Sequence, residues 1–126
     1  MAGLTLDSGA LIAYERADRL VVAYLKEALR RDVDITIPAV VIAEVWRGGP
    51  GAARVAGLLP ACVVESLDEP LARVAGEAMA AIKQATVVDA IVVASAALRG
   101  DRVLTTDHDD LARLCAHFPT VRLMSV

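Results

Sequence analysis

Short apolar runs alternate along the chain with longer segments in which apolar residues recur every three or four positions. A short run between polar or turn-forming residues is typical of a buried strand, and the longer spacing is typical of an amphipathic helix. The pattern predicts strands at residues 4–7, 34–37, 62–67, 102–105 and 121–124, and helices at residues 8–16, 18–31, 87–99 and 109–117, with two further helices beginning at Pro38 and Asp68.

Residues with strong positional preferences mark the ends of these helices. Ser8 and Asp68 are predicted N-caps, because their side-chain oxygens can accept hydrogen bonds from backbone N–H groups of the first turn. Pro38 is predicted at a first helical position, where its lack of an N–H is tolerated. Gly100 is predicted to end the helix that precedes it.

The alternation of strands and helices predicts a single α/β domain over residues 1–126. Its central sheet should be mainly parallel, with about five strands and helices on both faces. In such folds ligands bind at the carboxyl ends of the strands, near the point where the strand order reverses. Candidate chemistry is therefore expected at that edge.

The composition is 56% hydrophobic but only 3% aromatic, which favours a core of Ala, Val and Leu. No uninterrupted apolar run reaches the ~20 residues that a membrane span needs. The N-terminal MAGLTLDSG lacks the basic and apolar regions of a signal peptide, so we expect a cytoplasmic protein. Cys62 and Cys115 have apolar neighbours and are predicted to be small buried hydrophobes, with neither a disulfide nor a zinc site.

Three apolar segments each contain one charged residue, and in each case it is an acid. Asp7 is the only charged residue in positions 4–13, Glu44 the only one in positions 35–46, and Asp89 the only one in positions 85–98. A fourth acid, Asp107, follows the fourth predicted strand. A carboxylate removed from water costs several kcal/mol unless it is compensated. All four are expected near the carboxyl edge of the sheet.

A divalent cation is the simplest counter-charge for these acids, because the runs around Asp7, Glu44 and Asp89 contain no Lys, Arg or His. Mg²⁺ and Mn²⁺ prefer carboxylate and water oxygens. The net charge of −3 does not argue against a polyanionic substrate. If four of the sixteen acids surround a cation, the remaining twelve face thirteen basic residues, and the rest of the surface is close to neutral.

Each acid also has a simpler interpretation. Asp89 could serve the first turn of its helix as a cap or dipole partner. Asp7 could be a turn residue, and Glu44 could pair with Arg47 three positions later. Asp107 could belong to a solvated loop with Asp109 and Asp110. These explanations are reasonable singly and less plausible together at one edge of one sheet.

The ordered segments LDSGALIAYE, VIAEVWRG, VVDAIVVASA and VLTTDHDDL resemble those of PIN-domain nucleases. The chain looks most like the small single-domain toxins of the VapC type, found in bacterial toxin–antitoxin pairs, and the resemblance runs from Leu4 through the last predicted strand. It implies a PIN-like nuclease domain over residues 1–126.

The resemblance also implies the site. Asp7, Glu44, Asp89 and Asp107 would form an acidic quartet that binds Mg²⁺ or Mn²⁺, and the hydroxyl of Thr105 would position it. The reaction implied is hydrolysis of RNA by metal-activated water, leaving a 5′-phosphate and a 3′-hydroxyl. The partners implied are a second copy of the chain and a small antitoxin whose C-terminal arm enters the acidic cleft.

Two other functions are compatible with the fold. A Mg²⁺-dependent phosphatase could use Asp7 as nucleophile, although such enzymes usually have a second acid two residues on, where this chain has Gly9. A non-catalytic binding module that has lost its metal is the other, and it would be expected to have lost at least one of the four acids. Arg16, Arg19, Arg47 and Arg54 are candidate phosphate contacts, and the sequence does not separate them.

Overall fold

Five strands form one sheet in the computed structural model, which describes residues 2–126. All four strand pairs are parallel, so the predicted mainly parallel sheet of about five strands is confirmed in its purely parallel form. The strand order is β3-β2-β1-β4-β5. The strands are β1 (Leu4–Leu6), β2 (Ile35–Pro38), β3 (Val63–Glu65), β4 (Arg102–Thr105) and β5 (Arg122–Ser125).

Seven α-helices connect and cover the strands within residues 2–126: α1 (Ser8–Glu15), α2 (Arg19–Arg30), α3 (Ala39–Val45), α4 (Ala53–Leu58), α5 (Glu69–Ala81), α6 (Val87–Arg99) and α7 (His108–Cys115). Six of them were predicted. The seventh, α4, lies between two 3₁₀ turns at Pro50–Ala52 and Leu59–Ala61, in a segment where no helix or strand was predicted. Glycines and prolines interrupt this segment so often that no helical spacing is visible in it.

The helices pack in two groups. The first contains α1, which contacts α2, α3 and α4, and the second contains α6, which contacts α5 and α7. This division is what right-handed crossovers produce when the strand order runs outward from β1 to β3 and then returns to β4. The order therefore reverses between β1 and β4, and this is where a ligand site is expected in a parallel sheet.

Two predicted helix starts were wrong by one residue. The N-cap of α1 is Asp7, whose Oδ1 accepts a hydrogen bond from Ala10 N at 2.8 Å, and Ser8 is the first helical residue. Pro38 is the last residue of β2 and the N-cap of α3, with an extended ψ of 137°. A proline ring fixes φ at a value that both strand and helix tolerate, so the sequence did not separate the two positions.

Other boundaries are confirmed. Asp68 caps α5 by accepting a hydrogen bond from Leu71 N at 3.0 Å. Gly100 ends α6 in the left-handed conformation with φ of 75°. The two cysteines are free, but they are half-buried and not fully buried as predicted. Between residues 2 and 126, every helix is too short or too polar to cross a membrane.

The core is aliphatic, as the composition predicted. Leu6, Ile37 and Leu104 from the central strands are fully buried, and so are Leu11 of α1 and Val92 of α6. Because β1 and β4 are adjacent inside this core, the residues that follow them are held side by side at its carboxyl edge.

Candidate active site

Asp7 lies at the point where the strand order reverses. It follows β1 directly, its backbone N–H donates to Leu104 O of the neighbouring β4 at 3.3 Å, and its side chain is only 3% exposed. Its Oδ1 accepts from Ala10 N and its Oδ2 accepts from the hydroxyl of Thr105. The carboxylate is thus fixed in place by one contact from each side of the reversal.

Thr105 connects two of the predicted acids. Its side chain is fully buried at the end of β4. The hydroxyl donates to Asp7 Oδ2 and accepts from the backbone N–H of Asp107 at 2.8 Å. One hydroxyl therefore holds the carboxylate of Asp7 and also the backbone at the start of α7, which is the arrangement that the Thr-x-Asp spacing allows.

Asp89 lies in the first turn of α6, whose N-terminus points toward the same edge. Thr86 caps this helix by accepting a hydrogen bond from Asp89 N at 3.1 Å. The Asp89 side chain is half-buried. Since Thr86 does the capping, the carboxylate of Asp89 is not the N-cap, although its place in the first turn still suits a partner of the helix dipole.

Glu44 and Asp107 complete the predicted quartet, and both are exposed. Glu44 lies near the end of α3. Asp107 occupies the N-cap position of α7 but makes no side-chain capping bond. Of the four acids, only Asp7 is withdrawn from water, and Asp89 is partly so.

All four acids line one cavity of about 510 Å³, here called the acidic cavity. Its walls come from the ends of β1 and β4 and from α1, α3, α6 and α7. The lining residues are Asp7, Ser8, Gly9, Glu44, Thr86, Asp89, Thr106, Asp107 and Asp110.

None of the four acids forms an ion pair within residues 2–126. The possible pairing of Glu44 with Arg47 is absent there, since the Arg47 guanidinium donates to the backbone oxygens of Ala43 and Trp46. Asp110, which also lines the cavity, has Arg113 at 3.8 Å. Asp109 does not line the cavity, and its side chain is fully exposed.

Three of these acids, Asp7, Asp89 and Asp107, have raised pKa values. Burial raises the pKa of Asp7 to about 6, opposed by the hydrogen bonds from Thr105 and Ala10 and reinforced by the charges of Asp89 and Asp107. Burial also raises the pKa of Asp89, with further contributions from the charges of Asp110 and Glu44.

A hydrogen bond shared with the carboxyl of Asp110 is the main cause of the raised pKa of Asp107. The fold therefore holds several mutually repelling carboxylates together in the acidic cavity.

The donor set fits a hard divalent cation. Carboxylate oxygens are the protein ligands that Mg²⁺ and Mn²⁺ prefer, and a cation would relieve the repulsion that raises these pKa values. No three His, Cys, Asp or Glu side chains of residues 2–126 come together as a ready-made metal cage. Mg²⁺ commonly keeps several waters and takes only one or two carboxylates, so the wider spacing suits that ion.

Several residues of the cavity were absent from the sequence prediction or left open. Thr86 followed three positions later by Asp89 is a recognisable helix-start signal. Asp110 was left open, and the structure places it in the cavity. No sequence pattern marks Gly9 and Thr106 as cavity residues, since their contact depends on the fold. A Cβ on Gly9 would lie 2.2 Å from the Thr106 hydroxyl oxygen, so any other residue at position 9 would force this hydroxyl to move.

Comparison with known families gives a match to the model of the PIN domain over residues 4–116. The chain belongs to the PIN-domain family. The predicted resemblance is confirmed at this level, and the matched region contains the four acids and Thr105.

Solved structures of similar fold cover nearly the whole PIN domain. VapBC2 from Rickettsia felis, bound to a DNA fragment from its promoter, has a TM-score of 0.77 at 12% identity and covers 98% of each chain. DNA-bound VapBC from Salmonella typhimurium has a TM-score of 0.74 at 17% identity, covering 99% of this chain and 98% of the other.

A toxin–antitoxin complex from Klebsiella pneumoniae has a TM-score of 0.72 at 20% identity, covering 98% of this chain and 100% of the other. No curated protein matched significantly. At these identities the structural likeness concerns the fold.

Proposed function

We propose that this PIN domain is an Mg²⁺- or Mn²⁺-dependent endoribonuclease that acts as the toxin of a toxin–antitoxin pair. The observation that carries the proposal is the acidic cavity: four unpaired carboxylates from four separate parts of the chain line it at the point where the strand order reverses. Neither rival function has a comparable observation in its favour. Gly9 takes the position where a phosphatase of this kind would have its second acid, and a binding module has no use for this unbalanced charge.

The contacts of these residues indicate two roles, binding of the cation and positioning of its ligands. Asp7, Glu44, Asp89 and Asp107 would hold the cation, and Thr105 keeps Asp7 and the start of α7 in a fixed relation. The chemistry that such a cation supplies when bound is Lewis-acid activation of water and neutralisation of the charge that develops on a phosphate. The cavity contains no Lys or His that could serve as a general base.

The biological role is proposed from the structural relatives. Those named above are toxin–antitoxin assemblies, and each is covered along nearly its full length. A small antitoxin carrying a basic arm would complement the acidic cavity, and a homodimer completes the proposed assembly.

The first test is cleavage of purified total RNA by the purified protein with Mg²⁺ or Mn²⁺, followed by sequencing of the new 5′ ends. We expect cuts that leave 5′-phosphates. Asp7→Asn and Asp89→Asn should reduce the rate by at least about a hundredfold, because each removes a charged ligand from the site. Asp68→Asn is the matched control, since it removes one negative charge from a helix cap outside the cavity and should cleave at the normal rate.

Metal-dependent cleavage that persists in both Asp7→Asn and Asp89→Asn would contradict the assignment. The toxin role has its own readout, which is growth arrest after induced expression of the wild-type chain but not of Asp7→Asn. Equal arrest by both would separate toxicity from the acidic cavity.

A further inference from the structure

A second cavity adjoins the acidic cavity and shares two residues with it. It measures about 440 Å³ and is lined by Gly9, Ile12, Ala13, Arg16, Asp18 and Thr106, and we call it the flanking cavity. Gly9 and Thr106 belong to both cavities. A chain molecule whose phosphate lies at the four acids would therefore place its neighbouring unit here.

The walls of the flanking cavity combine an apolar floor with two opposite charges. Ile12 and Ala13 are half-buried on α1 and expose apolar surface to the cavity. Arg16 and Asp18 stand on either side of the link between α1 and α2. An apolar surface beside one cation and one hydrogen-bond acceptor suits a nucleobase better than a phosphate, which an adjacent carboxylate would repel.

Arg16 differs from Arg47 and Arg54 in having no partner within the described residues, and it differs from the equally unpaired Arg19 in lining the flanking cavity. The Arg54 guanidinium stands 5.3 Å from the centre of the Tyr14 ring and donates to Tyr14 O, while Arg47 donates to backbone oxygens of its own segment. The guanidinium of Arg16 forms no hydrogen bond or ion pair with residues 2–126. Its planar face and its N–H donors are available to a ligand.

Asp18 is held by its helix and still has a free oxygen. Its Oδ1 accepts from Leu20 N at 3.0 Å and Val21 N at 3.1 Å, as an N-cap does. Its Oδ2 accepts nothing from residues 2–126. The cap fixes the orientation of the carboxylate, and the second oxygen of this cavity-lining residue remains a free acceptor.

The link itself fixes the positions of both side chains. Ala17 lies between them with φ of 60°, a left-handed conformation that is uncommon for alanine. Two backbone bonds close the turn, from Ala17 N to Tyr14 O at 3.0 Å and from Asp18 N to Ala13 O at 2.9 Å. The cavity wall is therefore a closed turn, and its geometry is set before a ligand arrives.

We propose that the flanking cavity binds one unstacked nucleobase of single-stranded RNA, next to the phosphate that is cut. The Arg16 guanidinium lies against the base or donates to it, and Asp18 Oδ2 accepts a hydrogen bond from an exocyclic amino group. A contact at the exocyclic position favours cytosine, adenine or guanine over uracil, which has no amino group there and would have to turn its ring N3–H toward the carboxylate. This inference rests on the proposed nuclease function and assigns it a base-reading residue.

The test is a cleavage selection on an RNA pool randomised in sequence, with Mn²⁺, in which base frequencies around each cut are compared between variants. In Asp18→Asn the amide oxygen still caps α2, and the amide NH2 group, which only donates, replaces the free acceptor Oδ2. We expect the preference for amino-bearing bases at one flanking position to fall by about fivefold or more. Asp68→Asn, with the same change at the cap of α5, should return the wild-type frequencies.

The role of Arg16 is tested on a single RNA chosen from that selection. Arg16→Gln should raise KM about tenfold and change kcat by less than about twofold, because it removes a binding contact that is remote from the acids. Lys26→Gln removes the same charge from an exposed site on α2, outside both cavities, and should match the wild type.

The outcomes separate the two proposals. If wild-type protein cleaves the pool and Asp18→Asn returns unchanged base frequencies at every position, the base site is overturned and the nuclease function stands. If Lys26→Gln raises KM as much as Arg16→Gln does, the effect is only the loss of one positive charge anywhere on the surface. The assignment of Arg16 to the base site is then overturned. A wild-type protein that cuts no RNA overturns the proposed function, and the base site with it.

Discussion

At the scale of single residues, the buried charge of Asp7 lowers the stability of the fold, and the proposed function requires that charge. Burial raises its pKa to about 6, although Thr105 and Ala10 N both donate to it. One pKa unit corresponds to about 1.4 kcal/mol, so the shift from 3.8 represents a cost of roughly 3 kcal/mol when the group is ionised without a cation.

In the presence of EDTA, Asp7→Asn should have a higher free energy of unfolding than wild type. The amide can keep the capping bond from Ala10 N, and it removes the buried charge. The Thr105 hydroxyl loses its acceptor, which costs about 1 kcal/mol, so the net gain in the free energy of unfolding at pH 7.5 should be about 1–2 kcal/mol. Urea unfolding of wild type, Asp7→Asn and the exposed control Asp68→Asn measures it.

The stability difference between Asp7→Asn and wild type should depend on pH. A carboxyl whose pKa is raised on folding binds more protons in the native state, so its contribution to stability falls as pH rises from about 4 to about 6. The advantage of Asp7→Asn should therefore be greatest above pH 6 and should disappear near pH 4. A variant that is less stable than wild type at pH 7.5, or an advantage that does not change with pH, would show that Asp7 is not under this strain.

At the scale of the secondary-structure elements, most of the order of strands and helices was predictable. The short apolar runs and helical spacings are strong over α2, α5 and α6, and Asp68 and Gly100 mark ends correctly. The prediction did not contain α4, because its segment is short and lies among glycines and prolines. Asp7 displaced Ser8 as the cap because either side chain can accept the bond, and only the backbone direction decides between them.

The turn between α1 and α2 gives a prediction about helix ends. The pair of bonds that closes it is the pattern usually completed by glycine, as at Gly100 after α6, but here Ala17 takes the left-handed position. Ala17→Gly should raise the free energy of unfolding by about 0.5–1 kcal/mol, because it removes this strain. Gly100→Ala should lower it by about 1 kcal/mol.

Chemical unfolding of both variants beside wild type is the measurement for the two helix ends. A loss of stability in Ala17→Gly would mean that the alanine methyl group packs well enough to outweigh its backbone strain. The Gly100→Ala variant serves as the reference, since the same residue pair is exchanged there in the opposite direction.

At the scale of the whole molecule, two groups of acids differ in what balances their charge. Arg99, the last residue of α6, donates to Glu65, Asp101 and Thr5, so Glu65 and Asp101 are balanced by a cation of the protein itself. At the carboxyl edge, the four acids of the quartet have no such partner within residues 2–126. The contrast is what indicates that the second set awaits a counter-charge from outside.

The sequence could indicate this contrast only in part. The isolation of Asp7, Glu44 and Asp89 in uncharged segments was visible, and the alternation of elements placed them at one edge. Their separate degrees of burial, the entry of Asp110 and the contact of Gly9 with Thr106 depend on how distant segments meet. Local patterns do not specify such contacts, and for this reason the flanking cavity could not be predicted.

The central claim is that the acidic cavity binds a divalent cation, and the most direct measurement is calorimetric titration of Mn²⁺ into the metal-free protein at pH 7.5. Wild type and Asp68→Asn should bind with equal affinity, and Asp7→Asn and Asp89→Asn should bind at least about tenfold more weakly. Equal affinity in all four proteins, or no binding by the wild type, would contradict the account.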